Sequence, residues 1–360
     1  MKNKLIVIAM SGGIDSSISA WILKKMNYDL IGVHMINWTK NNNCYKTHLS
    51  DVINIANKIN INLKIINYEY IYNNIIFNKF IKKYKKGITP NSDIECNKKI
   101  KFNILLKYAI KIGGYKLATG HYAKIKKIKN KYKLLKAKDK KKDQTYFLYK
   151  LNNYQLSKII FPLGNLYKKE IKKIAFKLNL SNKNKKESRG ICFIENYKFK
   201  NFLNIYIKKK FGYISNNKKY ILGIHDGIYF YTIGQKKNIR IENKNTKNNY
   251  VFYKNKKHNI LYMTNNIKSI WLFSLGVFVF KINWIKKAKN NNYYFSKIRH
   301  SCIYLICFLK YINKKMLLIK FNKIQWGLAE GQSIVFYEKN ICLGGGIIKN
   351  TINFFNKSKF

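Results

Sequence analysis

The first apolar run, Leu5-Ile6-Val7-Ile8-Ala9, is the right length for a buried strand, and it stops at a glycine-containing turn. Beyond that turn Ile18-Ser19-Ala20-Trp21-Ile22-Leu23 continues as a helix, and Leu30-Ile31-Gly32-Val33-His34-Met35 reads as a second strand. Val52, Ile55, Ala56 and Ile59 recur at helical spacing before a third strand, Leu63-Lys64-Ile65-Ile66. Ile75, Ile76, Phe80, Ile81 and Tyr84 mark the next helix, and Ile100, Ile104, Leu105, Tyr108 and Ile112 a further one, ahead of the strand Lys116-Leu117-Ala118-Thr119. Strands alternating with helices predict an α/β unit: a parallel sheet with helices on both faces and ligands at the carboxyl ends of its strands.

Past about Lys200 the period changes. Short β-rich runs, Tyr220-Ile221-Leu222-Gly223, Gly227 to Thr232, Val251-Phe252-Tyr253 and Ile260-Leu261-Tyr262, are separated by turn residues. From Ile267 to Thr351 the pattern is strand-like throughout, which predicts a small barrel or sandwich. The expected division is 1–200 for the α/β domain, 201–266 for a small central β-rich domain and 267–356 for a C-terminal β-barrel. Polar stretches at 181–187 and 242–249 are expected to be mobile loops, and the tail after Asn350 to fray.

Charge adds less than its size suggests. Against 72 Lys+Arg stand 15 Asp+Glu, a formal net charge of +57, which points to a polyanionic partner, nucleic acid before membrane. Lys, Asn, Ile, Tyr and Phe dominate while Pro occurs twice, a composition that AT-rich codon drift also produces. Only a basic patch beside the active site would be evidence of binding. The N-terminal apolar run is too short for an export signal, and no segment is long enough to span a bilayer. A cytoplasmic protein without membrane attachment is expected, its six cysteines in a reducing compartment and no metal site built from them.

The chemistry begins at Met10-Ser11-Gly12-Gly13-Ile14-Asp15-Ser16-Ser17. Glycines between a strand and a helix let backbone N–H groups converge on phosphate, and the helix N-terminus adds partial positive charge. No Gly-Lys-Ser/Thr follows, so this is not the common phosphate loop. Ser-Gly-Gly-x-Asp-Ser resembles instead the PP-loop of the ATP pyrophosphatase superfamily, which implies cleavage of ATP between its first two phosphates and adenylation of an oxygen. A second segment, Asn91-Ser92-Asp93-Ile94-Glu95-Cys96-Asn97, reads as a loop entering a helix with Asn97 as its N-cap, so that Cys96 lies just before a helix N-terminus and two lysines. Those neighbours favour a thiolate while Asp93 and Glu95 oppose it; a packed structural thiol explains Cys96 equally well. Cys192 follows a lysine-rich loop in Ser188-Arg189-Gly190-Ile191-Cys192-Phe193. His121 ends a strand, either satisfying local backbone groups or meeting a ligand, and Lys142-Asp143-Gln144-Thr145-Tyr146-Phe147-Leu148-Tyr149 has a polar head and an aromatic body suited to RNA.

Taken in order with Met35-Ile36-Asn37-Trp38, Thr119-Gly120-His121-Tyr122, Tyr231 to Lys237, Gly331 to Tyr337 and Cys342 to Ile348, these segments resemble the bacterial tRNA-specific 2-thiouridylases over nearly the whole chain. The resemblance implies 2-thiolation of the wobble uridine, with ATP and Mg²⁺ as co-substrate and counter-ion. Ala9, Met10, Ser11, Gly12, Gly13, Ile14, Asp15, Ser16, Met35 and Gly120 would bind the nucleotide. Cys192 would carry a persulfide delivered by a cysteine desulfurase or relay protein. Cys96 would resolve the intermediate through a Cys96–Cys192 disulfide, and Asp93 would act as general acid or base. Asn91, Ser92, Asp93, His121, Lys142, Asp143, Gln144, Arg299, His300 and Gln332 would contact the tRNA, of lysine, glutamate or glutamine type. Ser92 stands where the family has Pro, Glu95 where it has an apolar residue, Arg189 where it has a small hydroxyl residue, and His300 where it has Tyr. Two other readings remain open at this point: a PP-loop enzyme that adenylates a small molecule, which would need neither cysteine, and a non-catalytic RNA-binding protein.

Overall fold

A computed structural model of the chain describes residues 4–39, 42–185, 193–194, 199–236, 249–300 and 303–354, with backbone alone for 42–45. Cys192 with the Arg189-Gly190-Ile191 segment before it, Cys302, most of 242–249 and the side chain of Cys44 lie outside the described residues.

Five parallel strands form the N-terminal sheet: β1 (Leu5–Ala9), β2 (Asp29–Ile36), β3 (Asn62–Asn67), β4 (Lys116–Ala118) and, further on, Ile159–Ile160, in the order β3-β2-β1-β4 with the two-residue strand outermost. Because side chains alternate along β1, Ile6 and Ile8 pack with Ala20 and Leu23 of α1 (Ile14–Lys25) and Val52, Ile55 and Ile59 of α2 (Asn42–Ile59). Val7 and Val33 point the other way, into a larger core with Phe80, Ile100, Leu105 and Ala109. The sheet is therefore covered by helices on both faces, as the strand–helix alternation predicts.

Four strands, Gly212–Ser215, Ile221–His225, Tyr250–Asn255 and Ile260–Thr264, make the central sheet. The run from Gly227 to Thr232 departs from its strand pattern. Gly227 adopts φ +140 and Ile228–Phe230 turn into a 3-10 helix, with the Tyr229 hydroxyl donating to the Lys208 carbonyl oxygen. Burial of Ile228, Tyr229 and Phe230 on one short turn, rather than alternation, accounts for the apolar run.

The C-terminal strands Phe273–Trp284, Asn292–Lys297, Leu305–Asn313, Met316–Trp326, Ser333–Glu338 and Ile341–Asn353 close into an antiparallel barrel, the first pairing with the last. The last strand runs past Asn350 to Asn353, which pairs with Ser274 and is buried, so the chain is still paired where fraying was expected to begin. One further element extends this sheet. The hairpin Ala123–Ile128/Lys131–Lys136, part of the N-terminal domain, adds to it through Ile341 opposite Leu135 and Cys342 opposite Leu134. Tyr146 donates to the carbonyl oxygens of Ile298 (3.3 Å) and Ser333 (3.0 Å), and the Tyr149 hydroxyl pairs with that of Ser333. The aromatic body of the 142–149 segment is thus an anchor for the barrel and not an RNA surface: Tyr146, Leu148 and Tyr149 are buried.

Candidate active site

The glycine turn leaves β1 at its carboxyl end, where the parallel sheet opens. Gly12 takes φ +76, and a Cβ there would lie 2.9 Å from the His48 carbonyl oxygen, so both conformation and space require glycine. Ser16 and Ser17 hydroxyls donate to the Gly13 carbonyl oxygen at 2.9 and 3.0 Å, and Ser16 Oγ also accepts from the Ser11 amide. His34 Nδ1 pairs with the Met10 carbonyl oxygen at 2.8 Å, and burial holds this imidazole below its ordinary pKa. These bonds tie the loop to itself and to β2, while the first-turn N–H groups of α1 have no acceptor within the helix. Ser11 is exposed and Gly13 and Asp15 half-buried, leaving the mouth of the loop open to a phosphate-bearing ligand.

Three residues outside the motif hold the loop in place. Asn182 is buried and donates to the Gly12 carbonyl oxygen (3.1 Å) and to Ser17 Oγ (3.0 Å), while its own Oδ1 has no partner. The start of the 181–187 stretch is therefore a fixed part of the site; its polar composition concealed a buried anchor. Lys168 Nζ lies 2.7 Å from Asp15 Oδ1, and the Tyr122 hydroxyl donates to the same oxygen at 2.8 Å. A carboxylate–lysine pair at separation 153 has no local sequence signal.

Gly120 packs against the loop backbone, with a Cβ there falling 2.8 Å from both Asp15 C and Ser16 N. The next residue, His121, pairs through Nδ1 with Thr119 Oγ1 at 2.8 Å and packs in a three-ring cluster with Phe102 and Phe161. Burial pushes its pKa well down, so the ring is neutral at pH 7. Phe102 belongs to the helical segment that carries Asp93 and Cys96. A continuous line of contacts therefore joins the glycine loop, Gly120, His121 and that segment.

The helix there starts earlier than the sequence suggests. Asn91, not Asn97, is the N-cap, accepting from the Ile94 amide, and α-helix Ser92–Cys96 runs directly into a π-helical stretch, Asn97–Leu105. Asn97 instead donates to the Phe147 carbonyl oxygen. Cys96 thus lies at the end of the first α-helical stretch and not before a helix N-terminus, so the dipole effect, confined to the first turn, is not aimed at its thiol. The thiol is buried and in no disulfide. Asp93, three residues earlier, is exposed; surrounding protein nevertheless pushes its carboxyl up, against the pull of Lys101. Glu95 pairs with Lys150 and Lys99. Although burial would raise it, those lysines hold it at about 2. The segment is also docked on the barrel: the Thr89 amide donates to the Glu330 carbonyl oxygen, and a Cβ on Gly331 would fall 2.2 Å from Ile88 Cγ2.

Phe193, the residue after Cys192, is fully buried among Trp38, Phe77, Phe80 and Phe202. Trp38 follows β2 closely, and Met35 sits half-buried near the end of that strand. Among the remaining predicted contacts, Asp143 is buried, its carboxylate accepting from the Ala137 amide and the Thr145 hydroxyl, so only Lys142 and Gln144 of that triplet are partly exposed. His300 lies over Phe147 and pairs with the Asp143 carbonyl oxygen, its pKa lowered by burial. Arg299 donates through Nη2 to the Gly327 carbonyl oxygen, and its Nε and Gln332 Oε1 are buried without partners.

Comparison with known proteins agrees with this arrangement domain by domain. Residues 4–196 match the tRNA methyl transferase HUP domain, 200–265 the tRNA methyl transferase PRC-barrel domain and 275–348 the aminomethyltransferase beta-barrel domain. A tRNA-specific 2-thiouridylase of Buchnera aphidicola from Acyrthosiphon pisum is 44% identical over 361 residues, covering 98% of each chain. The chain belongs to the tRNA-specific 2-thiouridylase family. A Malacoplasma penetrans relative of that name is 42% identical over 97% of this chain and 100% of its own, and one from Dechloromonas aromatica 37% identical over 97% and 100%. The three matched ranges follow the order of the three structural units along the chain. Among the described residues no helix is long and apolar enough to cross a membrane.

Proposed function

We propose that the chain is a tRNA-uridine 2-sulfurtransferase that thiolates the wobble uridine of tRNA at the expense of ATP. The observation that supports it best is the prebuilt glycine loop, fixed by Asn182, Lys168 and Tyr122 and linked through Gly120 and His121 to the segment bearing Asp93 and Cys96.

ATP binds with its phosphates on the N–H groups of the loop and α1, and its adenosine against Met35 and Gly120. The residues suit this role: the mouth is open at Ser11, and among the described residues no side chain lies closer to the space beside Gly13 than Ser11 Oγ at 3.5 Å. Mg²⁺ brought in with the nucleotide would offset the polyphosphate charge, while Asp15, held by Lys168 and Tyr122, keeps the loop in shape. The target uridine leaves the stack and rests on Asn91, Ser92 and Asp93. Its 2-oxygen attacks the α-phosphorus and pyrophosphate leaves. Asp93, its carboxyl raised by the surrounding protein, handles the proton. A persulfide on Cys192, loaded by a sulfur-relay partner, attacks C2 through its terminal sulfur, and AMP leaves. Cys96 then attacks Sγ of Cys192, forming a Cys96–Cys192 disulfide and freeing 2-thiouridine. An external dithiol returns the two electrons.

The deciding assay is thiolation of an unmodified lysine or glutamate tRNA with ATP, Mg²⁺ and a persulfide source, read by retardation in a mercury-containing gel. A retarded band that needs ATP, Cys96 and Cys192 is the expected result. Tight tRNA binding by folded protein with neither a band nor tRNA-stimulated pyrophosphate release would refute the proposal.

A further inference from the structure

A cavity of about 510 Å³ opens on the far side of the Asp93–Cys96 helix, bounded by the N-terminal domain and the barrel. Six lysines line it: Lys79, Lys83, Lys98, Lys99, Lys150 and Lys281. Among the described residues Glu95 is its single carboxylate and is already engaged by Lys150 and Lys99. Its floor is apolar, made by Ile76, Phe80, Ile282 and Ile347.

Four of these lysines are drawn out of solvent, and Lys79 and Lys281 are exposed at the rim. Lys150 is buried, and Lys83, Lys98 and Lys99 are half-buried in one concavity. Lys99 pushes the Lys79 ammonium down, and Lys83 is lowered by burial and then by Lys281, Lys99 and Lys79. Lys281 sits on a bulge in the first barrel strand, where the ladder shifts register between Phe280 and Asn283, and it takes φ +50. A non-glycine residue in that region costs energy that the surrounding structure must offset, and such strain gathers where a side chain has to be aimed. Among the described residues the cavity sets one carboxylate, Glu95, against six lysines.

We infer that this cavity receives one nucleotide of the bound RNA strand next to the target uridine, its base on the apolar floor and its phosphates on the lysine rim. The assignment rests on the tRNA reading above. It favours the RNA strand over a free nucleotide because Asn91 and Ser92, proposed to hold the target base, also form part of the cavity wall.

The test uses the full chain, an unmodified anticodon stem-loop RNA and the triple variant Lys79→Ala/Lys83→Ala/Lys281→Ala. Binding is titrated from about 50 to 300 mM KCl, and AMP binding is measured in parallel. For single strands each lost phosphate contact removes about 0.7 from the slope of log affinity against log salt, and one nucleotide has a phosphate on each side, so the variant's slope should fall by about 1.4. Its affinity at low salt should drop at least tenfold, with ATP affinity and thermal midpoint unchanged. An unchanged slope overturns the inference. So does an unchanged slope with AMP binding lost, which would assign the cavity to a free nucleotide. A reduced slope in a wild-type background that performs no thiolation supports the cavity while refuting the enzymatic reading. Wild type that does not bind the RNA refutes both.

Discussion

Replacing Glu95 by glutamine removes the only carboxylate that the described residues bring to the lysine-lined cavity, at nearly constant side-chain volume. Glu95 has an ordinary value of 4.5 and is held at about 2 by Lys150 and Lys99, which outweigh its burial. At about 1.36 kcal/mol per pH unit the gap sets a ceiling of about 3 kcal/mol on what its ionised form contributes. The Lys150 ammonium is lowered by its own burial despite Glu95, which offsets part of that gain, so about 1–2 kcal/mol of net loss is the expected cost. A carboxyl depressed on folding stabilises fully above its unfolded value and loses the contribution as pH falls toward its folded value. The deficit of Glu95→Gln should therefore be complete at pH 7 and shrink between about pH 4.5 and 2. Urea denaturation of both proteins at pH 7, 5 and 3.5 reads this directly, with added salt narrowing the gap by screening the six lysines. A variant as stable as wild type at pH 7, or a deficit independent of pH, would refute the reasoning.

Asn182→Ala removes two hydrogen bonds to the loop at about 0.5–1.5 kcal/mol each, so thermal stability should fall and KM for ATP rise with tRNA affinity unchanged. Gly120→Ala forces a methyl group against Asp15 and Ser16 backbone, an overpacking cost of about 1–3 kcal/mol, and ATP affinity measured by calorimetry should drop at least tenfold. If Asp93 accepts the proton, the acid limb of the pH–rate profile should lie above the ordinary carboxylate range and vanish in Asp93→Asn, while His121→Asn leaves the limb in place because the buried imidazole is already neutral. A limb unmoved in Asp93→Asn would remove Asp93 from the proton transfer.

The elements carried by strict periodicity were readable from residue order: the strands at Leu5, Leu30 and Leu63, the helices between them and the barrel after Ile267. So was the glycine loop, because its chemistry is contiguous. What escaped depends on contacts between distant residues. Asn182, Lys168 and Tyr122 reach the loop across more than 100 positions, and nothing local to them indicates it. Asn97 looked like a cap because lysines and an apolar period follow it, yet Asn91 wins by accepting from Ile94 at the true start of the helix. Tyr146 and Tyr149 sit in an alternation of polar and aromatic residues that suits RNA and a domain interface alike; only the partner surface, Ser333 and Ile298, separates the two. Composition concealed most in the basic residues, where a cavity gathers six lysines from four places in the chain.

The hairpin that extends the barrel sheet governs how the chain can be made. Leu135 waits for Ile341, more than 200 residues downstream, before its edge is covered. During synthesis the N-terminal domain must therefore persist with an open strand edge and two tyrosines lacking their seats until the ribosome has nearly finished. Contacts of such sequence separation form slowly, so a truncated chain or a stalled nascent one is the species most prone to aggregate. The barrel expressed alone would inherit the complementary exposed edge at Ile341 and Cys342. For this protein the unit of folding, and of any excision or fusion, is the whole chain.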